Sequence, residues 1–318
     1  MKLERFYKKA VEIGIANDLR GAAEVKRLLE DEAEKAKDLK DEDRKFHDKD
    51  RLFNPYADTR VLCGDLGTEV RKVMVGIDID TAELLLARAL NEGEGPKIDL
   101  VVGHHPMGSA RVQLFDVMKL QASLLALCGV TISVAEQLME RRIGEVERRL
   151  LPLNATREVD AARLLGLPLM CIHTAADNCV TNHLVRLFER EKPARLKDLL
   201  KLLRAIPEYE KAAFLQMPPK VVAGTESGSC GKILVDMTGG TEGAKDIYDK
   251  LAGSGVSTLV GMHMSEEHLV NAKKANLNVV IAGHIASDVL GLNLLFDELE
   301  KEERFEFVGL SGFERIRR

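Results

Sequence analysis

Short apolar runs alternate with helical segments from residue 70 onwards, and this alternation constrains the fold more than any other feature of the chain. The run 70–79 (VRKVMVGIDI) precedes a segment of helical periodicity at 81–93, and a second apolar run, 98–103 (IDLVVG), follows it. Continuous apolar runs joined by helices are typical of parallel strands that are covered on both faces. The sequence therefore predicts an α/β protein with a mostly parallel sheet.

The alternation continues through the middle of the chain. It predicts a helix over 113–127, a strand over 130–135 (VTISVA), a helical region from there to about residue 165, a strand over 167–173 (LPLMCIH) and helices across 179–204.

The segment 231–264 repeats the order of features found at 71–107. Each copy runs from an apolar strand through an Asp, a Thr-led helix and a Gly-rich turn to a second strand, which closes in VVGHH in the first copy and LVGMH in the second. A repeat of this kind indicates an internal duplication. We therefore expect two similar α/β halves that face each other across a cleft.

These patterns divide the chain into four parts. We expect a charged helical arm (1–52), a first α/β half (53–190), a connecting segment that contains several prolines (191–230) and a second α/β half (231–318). The arm is interpreted as separate from the rest, because nearly every residue of 31–51 is charged or polar, as in a solvated helix.

Composition narrows the classes of partner. The net charge is −5, only 4% of residues are aromatic and there is no Trp, so neither a basic stripe nor a stacking platform for nucleic acid is expected. No apolar run approaches the roughly 20 residues that a membrane helix needs, and the N-terminus lacks the apolar core of a secretory signal. The five cysteines form no C-x-x-C pair, which favours reduced thiols and a cytoplasmic protein. We expect a small-molecule substrate and further copies of the chain as partners.

Five of the eight histidines come at or just after the predicted carboxyl end of a strand: His104, His105, His173, His263 and His284. That edge is where open α/β sheets bind ligands. Neutral imidazoles bind zinc, iron, nickel and manganese-class ions. The histidine positions therefore predict a metal site in the cleft.

Three motifs carry most of this prediction. Gly103-His104-His105-Pro106 follows the strand at 98–103; His173 precedes Asp177 by four residues, and His284 precedes Asp288 by the same spacing, which is one helical turn. Three imidazoles and two carboxylates from these segments can hold two divalent ions that activate water for hydrolysis.

Each motif also has a structural interpretation. His104 and His105 can be hydrogen-bonded structural residues, Asp177 can cap the following helix, and Ser287 can cap a helix in which Asp288 is a first-turn acid. His173 can be a ligand, a residue that orients a ligand, or a proton carrier.

Two further histidines belong to the second copy of the repeat. His263 and His268 correspond to His104 and His105, but Met262 replaces the first histidine of the pair, and we interpret this copy as having lost metal binding. His268 is expected to line the same cleft.

The order GHHP, then HTxxD, then GHxxSD resembles the NIF-three-like family, also called GTP cyclohydrolase 1 type 2 homologues or dinuclear metal-centre proteins. The likeness covers about residues 60–300. It implies two α/β halves, a toroidal homohexamer and two divalent ions held by His104, His105, Asp177, His284 and Asp288.

The chain departs from the family pattern in three places. Asp288 stands where the family usually has Glu, Ala175 and Ala176 replace the middle of the family's HTNLD motif, and an extra helical segment occupies about 138–166. The shorter Asp288 side chain is expected to alter bridging geometry or metal preference, and the insert to cover the cleft.

Two functions are consistent with these features. The first is a metal-dependent hydrolase in which His173 carries the proton; the second is a non-catalytic metal-binding scaffold or regulator. The chain has neither a P-loop motif nor a G-x-G-x-x-G motif after a strand, so no motif supports nucleotide recognition.

Overall fold

The computed structural model describes residues 1–318 and contains two separate sheets. The nine strands are β1 (Arg60–Cys63), β2 (Lys72–Gly76), β3 (Leu100–Gly103), β4 (Leu169–Cys171), β5 (Lys220–Ala223), β6 (Lys232–Asp236), β7 (Val256–Gly261), β8 (Asn278–Ile281) and β9 (Glu306–Gly309).

Fifteen α-helices and one 3₁₀ turn (Lys49–Leu52) surround the sheets. The helices are α1 (Leu3–Ala16), α2 (Ala22–Asp38), α3 (Asp41–Arg44), α4 (Thr81–Glu92), α5 (Gly108–Val112), α6 (Leu114–Val117), α7 (Lys119–Leu127), α8 (Ile132–Leu150), α9 (Arg157–Leu165), α10 (Thr174–Glu191), α11 (Leu196–Arg204), α12 (Pro207–Phe214), α13 (Tyr248–Gly253), α14 (Glu266–Lys274) and α15 (His284–Leu299). None of them is both long enough and apolar enough to cross a membrane.

The two sheets share one topology over four strands, and the first sheet has β9 in addition. The first has the order β1-β4-β3-β2-β9 and the second the order β5-β8-β7-β6, and in each the first-named strand is antiparallel to a neighbour within an otherwise parallel sheet. The pairing of β1 with β4 and that of β5 with β8 both shift register once. The expected α/β fold with two similar halves is therefore confirmed.

Helices α10 and α15 join the two halves. Each follows the last parallel strand of its own half and packs against the other helix. Ala175 of α10 and Leu292 of α15 belong to the apolar core around the first sheet, whereas Leu184 of α10 and Leu290 of α15 belong to the apolar core around the second sheet. The cleft lies where the first turns of these two helices meet the carboxyl ends of the strands.

The segment 130–135 is not a strand. Helix α8 begins at Ile132, with Thr131 at its N-cap position, and it buries Ala135, Met139 and Val146 on one face. A short apolar run fits a strand or one face of a helix equally well, and here the helical spacing of the later residues decides. Most of α8 and all of α9 occupy the segment that we interpreted as an insert, and α8 packs against α7.

The structure differs at both ends of the chain from the predicted division into an arm, two halves and a connecting segment. Helix α1 is not a solvated arm, because Leu3, Phe6 and Ala10 are fully buried in the core of the first half, whereas α2 buries only Val25. The charge run that suggested an arm starts only after α1. At the other end, β9 leaves the second half and pairs with β2 in the first sheet.

The burial of α1 predicts that Phe6→Ala lowers the free energy of unfolding by about 3–5 kcal/mol, since it leaves a cavity beside Phe296 and Phe305. Phe46→Ala is the control, because this side chain lies in the same N-terminal region and is 78% exposed. Chemical denaturation of both variants makes the comparison. Equal stability of the two variants would contradict the assignment of α1 to the core.

Candidate metal centre

The two histidines after β3 lie on the same side of the chain. The backbone N–H groups of His104 and His105 donate to the carbonyl groups of Gly76 and Ile77, so the chain stays paired beyond the strand while its two imidazoles converge. The ring centroids are 5.4 Å apart. The alternation of side chains in a regular strand would have sent one ring to the opposite face.

Each of these imidazoles has its Nδ1 atom fixed by a neighbour. Nδ1 of His104 lies 2.9 Å from the carbonyl oxygen of Ile172, and Nδ1 of His105 lies 2.7 Å from Oδ1 of Asp78. A carbonyl oxygen can only accept, so the His104 Nδ1 atom carries the proton. Hydrogen bonds of this kind hold the ring in place and leave the Nε2 atom for a metal ion.

His173 has a similar support. Its Nδ1 atom lies 2.8 Å from Oδ2 of Asp58, and the same carboxylate oxygen accepts a hydrogen bond of 2.6 Å from the hydroxyl of Thr174. Asp58 is fully buried just before β1, which is antiparallel to β4. Sequence reasoning missed Asp58, because nothing in its local sequence indicates contact with a residue more than a hundred positions away.

Asp177 and Asp288 each lie four residues after a histidine, near the N-terminal ends of α10 and α15. They are 4% and 0% exposed, and neither helix has a side-chain cap. Ser287 does not cap α15, since its hydroxyl donates to the carbonyl oxygen of Gly283 and also contacts the hydroxyl of Tyr209. The two carboxylates are therefore free to face the cleft.

The two carboxylates lie on either side of His104. Its Nε2 atom is 3.4 Å from Oδ1 of Asp177 and 3.4 Å from Oδ1 of Asp288. The other oxygen of Asp288 faces two more imidazoles, at 3.5 Å from Nε2 of His105 and 3.7 Å from Nε2 of His284. Nε2 of His173 is 3.8 Å from Oδ2 of Asp177.

Two groups of side chains are close enough to hold a metal ion. The first contains His104, His105 and Asp288, the second contains His104, His173 and Asp177, and within each group the ligand atoms lie within 4.8 Å of one another. Two ligand atoms that are each about 2.1 Å from a tetrahedral ion lie about 3.4 Å apart. The observed spacings therefore fit a divalent ion.

Five atoms of the cluster are buried without a hydrogen-bond partner: Nε2 of His104, Nε2 of His105, Oδ1 of Asp177 and both carboxylate oxygens of Asp288. Buried polar atoms are nearly always paired, so each of these requires a partner that the protein does not supply. All five are atoms of types that bind metal ions. This donor set fits the metal ions expected from the sequence.

The charges of the cluster are strongly coupled. Burial alone lowers the pKa of His104, but the carboxylates of Asp288 and Asp177 outweigh it and raise the pKa to about 10. The pKa of Asp288 lies well below its usual range, because His104 and His105 outweigh the effect of burial. Burial lowers the pKa of His284 and favours the neutral imidazole that a metal ion requires.

The cleft continues into the second half of the chain. Its lining includes His173, Asp177 and His284 on one side and Asp236, Thr238, Glu242 and His263 on the other. The rings of His263 and His284 are 4.8 Å apart. His268 is turned away to bond the hydroxyl of Tyr248 at 2.7 Å, and neither His263 nor His268 belongs to the two metal-binding groups.

No family model and no curated protein matches the sequence. Among solved structures, a NIF3 superfamily protein from Sphaerobacter thermophilus is 30% identical, with a TM-score of 0.71 over 80% of this chain and 91% of that one. Reduced HcgD from Methanocaldococcus jannaschii is 15% identical, with a TM-score of 0.51 over 79% of this chain and 88% of that one, and this likeness shows the fold alone. The identity and coverage of the first match, on a fold with two similar halves, show that this chain belongs to the NIF3 superfamily.

Proposed function

We propose that the chain holds two divalent metal ions of the zinc, iron, manganese or nickel class and uses them as a hydrolase of the GTP cyclohydrolase 1 type 2 kind, on a small-molecule substrate. The observation that carries the proposal is the set of five buried ligand atoms without a partner. A structural site would be closed by protein ligands, whereas a catalytic site keeps open positions. The solvent-accessible cleft beside the cluster favours the catalytic alternative.

The geometry suggests how the ligands divide between the ions. His104 and Asp177 would hold one ion, and His105 and Asp288 the other. His284 lies outside both groups and would join the second ion from its place 3.7 Å from Asp288. Asp288 would offer both carboxylate oxygens as ligand atoms, because its Oδ1 atom faces His104 while its Oδ2 atom faces His105 and His284. These are the five ligands that the family resemblance implies.

His173 is proposed as the proton carrier. It lines the cleft, and Asp58 at its Nδ1 atom fixes the ring so that Nε2 is the atom that takes and returns a proton. The Asp58 carboxylate also stabilises the imidazolium that forms. When bound, a pair of divalent ions supplies Lewis acidity, which lowers the pKa of water and stabilises negative charge on the reacting group.

We also propose a cytoplasmic homohexamer. All five cysteines are free, as in a reducing compartment. Phe214, Leu215 and Met217 of the connecting segment are 78%, 70% and 57% exposed, and an apolar surface of this kind supports contact between subunits.

Purified protein is expected to carry close to two equivalents of divalent metal per chain, and His104→Ala to lose most of it, because His104 lies between both carboxylates. Elemental analysis after reconstitution measures the content. His183→Ala is the control, since His183 lies on α10, like Asp177, but outside both metal-binding groups. Less than one equivalent in wild-type protein would remove the metal centre from the proposal.

Metal-loaded protein is expected to hydrolyse at least one member of a panel of phosphodiesters, nucleotides and cyclic amides, and EDTA should abolish the activity. Re-addition of metal should restore the activity, because the two apolar cores are formed by side chains and should stay folded when the ions are removed. Two bound equivalents without turnover of any substrate would favour the alternative function, a non-catalytic metal-binding scaffold or regulator.

His173→Gln is expected to keep the metal content and to lower turnover by about 10²–10⁴-fold, the usual contribution of general acid–base catalysis. Asp58→Asn should lower turnover in the same direction, because it weakens the support of the His173 ring. Elemental analysis accompanies the rate measurement. Loss of one metal equivalent in His173→Gln would instead make His173 a ligand of the group that it forms with His104 and Asp177.

A further inference from the structure

A glycine-rich loop forms the wall of the cleft opposite the metal-binding groups. Residues 237–243 (MTGGTEG), called the glycine loop below, follow β6 at the carboxyl edge of the second sheet. Gly240, Thr241 and Glu242 line the same cleft as His173, Asp177 and His284. The loop lies outside the three histidine motifs that predicted the metal site.

The first half of the chain holds the glycine loop by its carbonyl oxygens. The side-chain amide of Gln121, on α7, donates to the carbonyl oxygens of Gly239 and Thr241, both at 2.7 Å. Arg142, on α8, donates to that of Glu242 at 3.0 Å. The hydroxyl of Thr238 donates to Asn178, the neighbour of Asp177, at 2.7 Å and ties the loop to α10.

These contacts fix the direction of two backbone donors. In a trans peptide the C=O and N–H groups point in opposite directions, and the chain has no cis peptide. The N–H groups of Gly240 and Glu242 therefore point away from Gln121, which lies outside the lining of the cleft. Neither N–H group has an acceptor in the protein.

The buried part of the loop has further donors without acceptors. Thr238 and Gly239 are buried, and their N–H groups also make no hydrogen bond to the protein. Buried backbone N–H groups are nearly always satisfied, by the protein or by a ligand or water. Successive backbone donors around a glycine turn form a cavity that suits an anion.

The loop can hold this shape only with glycine at two positions. Gly239 and Gly240 have φ values of +99° and +90°. A Cβ atom at Gly239 would meet Cγ of Gln121 at 2.6 Å. The loop is therefore set before any ligand arrives, which reduces the entropy lost on binding.

We infer that the glycine loop binds an oxyanion group of the substrate, such as a phosphoryl group, through the N–H groups of Gly240 and Glu242. The inference rests on the proposed function, because the loop would hold the part of the substrate next to the metal ions. The Glu242 side chain does not oppose this, since its carboxylate accepts from the N–H of Ser265 at 2.6 Å and faces His263 and His268, each at 3.9 Å. The Asp236 carboxylate also lines the cleft, and its negative charge would repel a bound oxyanion.

The test is calorimetric titration of inorganic phosphate onto the full chain reconstituted with manganese. Gly240→Ala should weaken phosphate binding about tenfold, because the φ of +90° and a Cβ contact with Val117 at 3.0 Å displace the loop backbone and misalign its N–H donors. Gly255→Ala is the matched control, since its φ of +88° is nearly the same and an added Cβ would meet no atom within 4 Å. Asp236→Asn should tighten binding, because it removes a negative charge and leaves the loop backbone unchanged.

Metal content, measured on every protein, separates the two proposals. Wild-type protein with two ions that does not bind phosphate would overturn the oxyanion site and leave the metal centre intact. Gly240→Ala that binds phosphate as the wild type does would also overturn it. If Gly240→Ala fails to fold, Asp236→Asn decides: tighter binding supports the site, and unchanged or weaker binding rejects it.

Discussion

The close packing of α10 against α15 is the contact on which the candidate metal centre depends. A Cβ atom at Gly291 of α15 would meet the carbonyl oxygen of Ala176 at 2.5 Å, so only glycine lets the helices approach this far. Asp177 follows Ala176, and Asp288 lies one turn before Gly291. The approach of the two helices thus sets the two carboxylates on either side of His104, although they come from different halves of the chain.

The protein does not supply hydrogen-bond partners for all the buried polar atoms of this cluster. Burying a carboxylate is costly unless partners compensate it, and Asp288 has no hydrogen bond to either oxygen. Contacts of 3.4–3.7 Å to three imidazoles give charge compensation but are longer than ordinary hydrogen bonds. The apolar cores on both sides offset this cost, and they hold the ligand atoms apart at spacings that suit an ion.

Much of this arrangement could be predicted from the sequence. The alternation of strands and helices and the repeat of 71–107 at 231–264 led to the correct fold class, because continuous apolar runs joined by helices occur mainly where a parallel sheet is covered on both faces. The histidine motifs pointed to the carboxyl ends of the strands, and His104, His105 and His173 of the first sheet do lie together there with His284 of the second. Each of these signals lies within a short stretch of residues, so it can be recognised in a single sequence.

The remaining features depend on contacts that leave no local signal. Asp58 supports His173 from a distant segment, and the glycine loop acquires its direction from Gln121 of the other half. The charge run that follows α1 led us to predict a solvated arm, although α1 itself is buried. The strand predicted at 130–135 was wrong, because a run of six residues is too short to distinguish strand from helical periodicity. These errors concern what an element packs against, which a single sequence does not record.

The return of the chain to the first sheet as β9 has a consequence for how the halves can move. The polypeptide crosses between them twice, first along α10 and again along α15 and β9. After a single proteolytic nick in the connecting segment, the two fragments would therefore stay associated non-covalently, since β9 of the second fragment remains paired with β2 of the first. A ligand therefore enters a cleft whose width is set by the packing of α10 against α15.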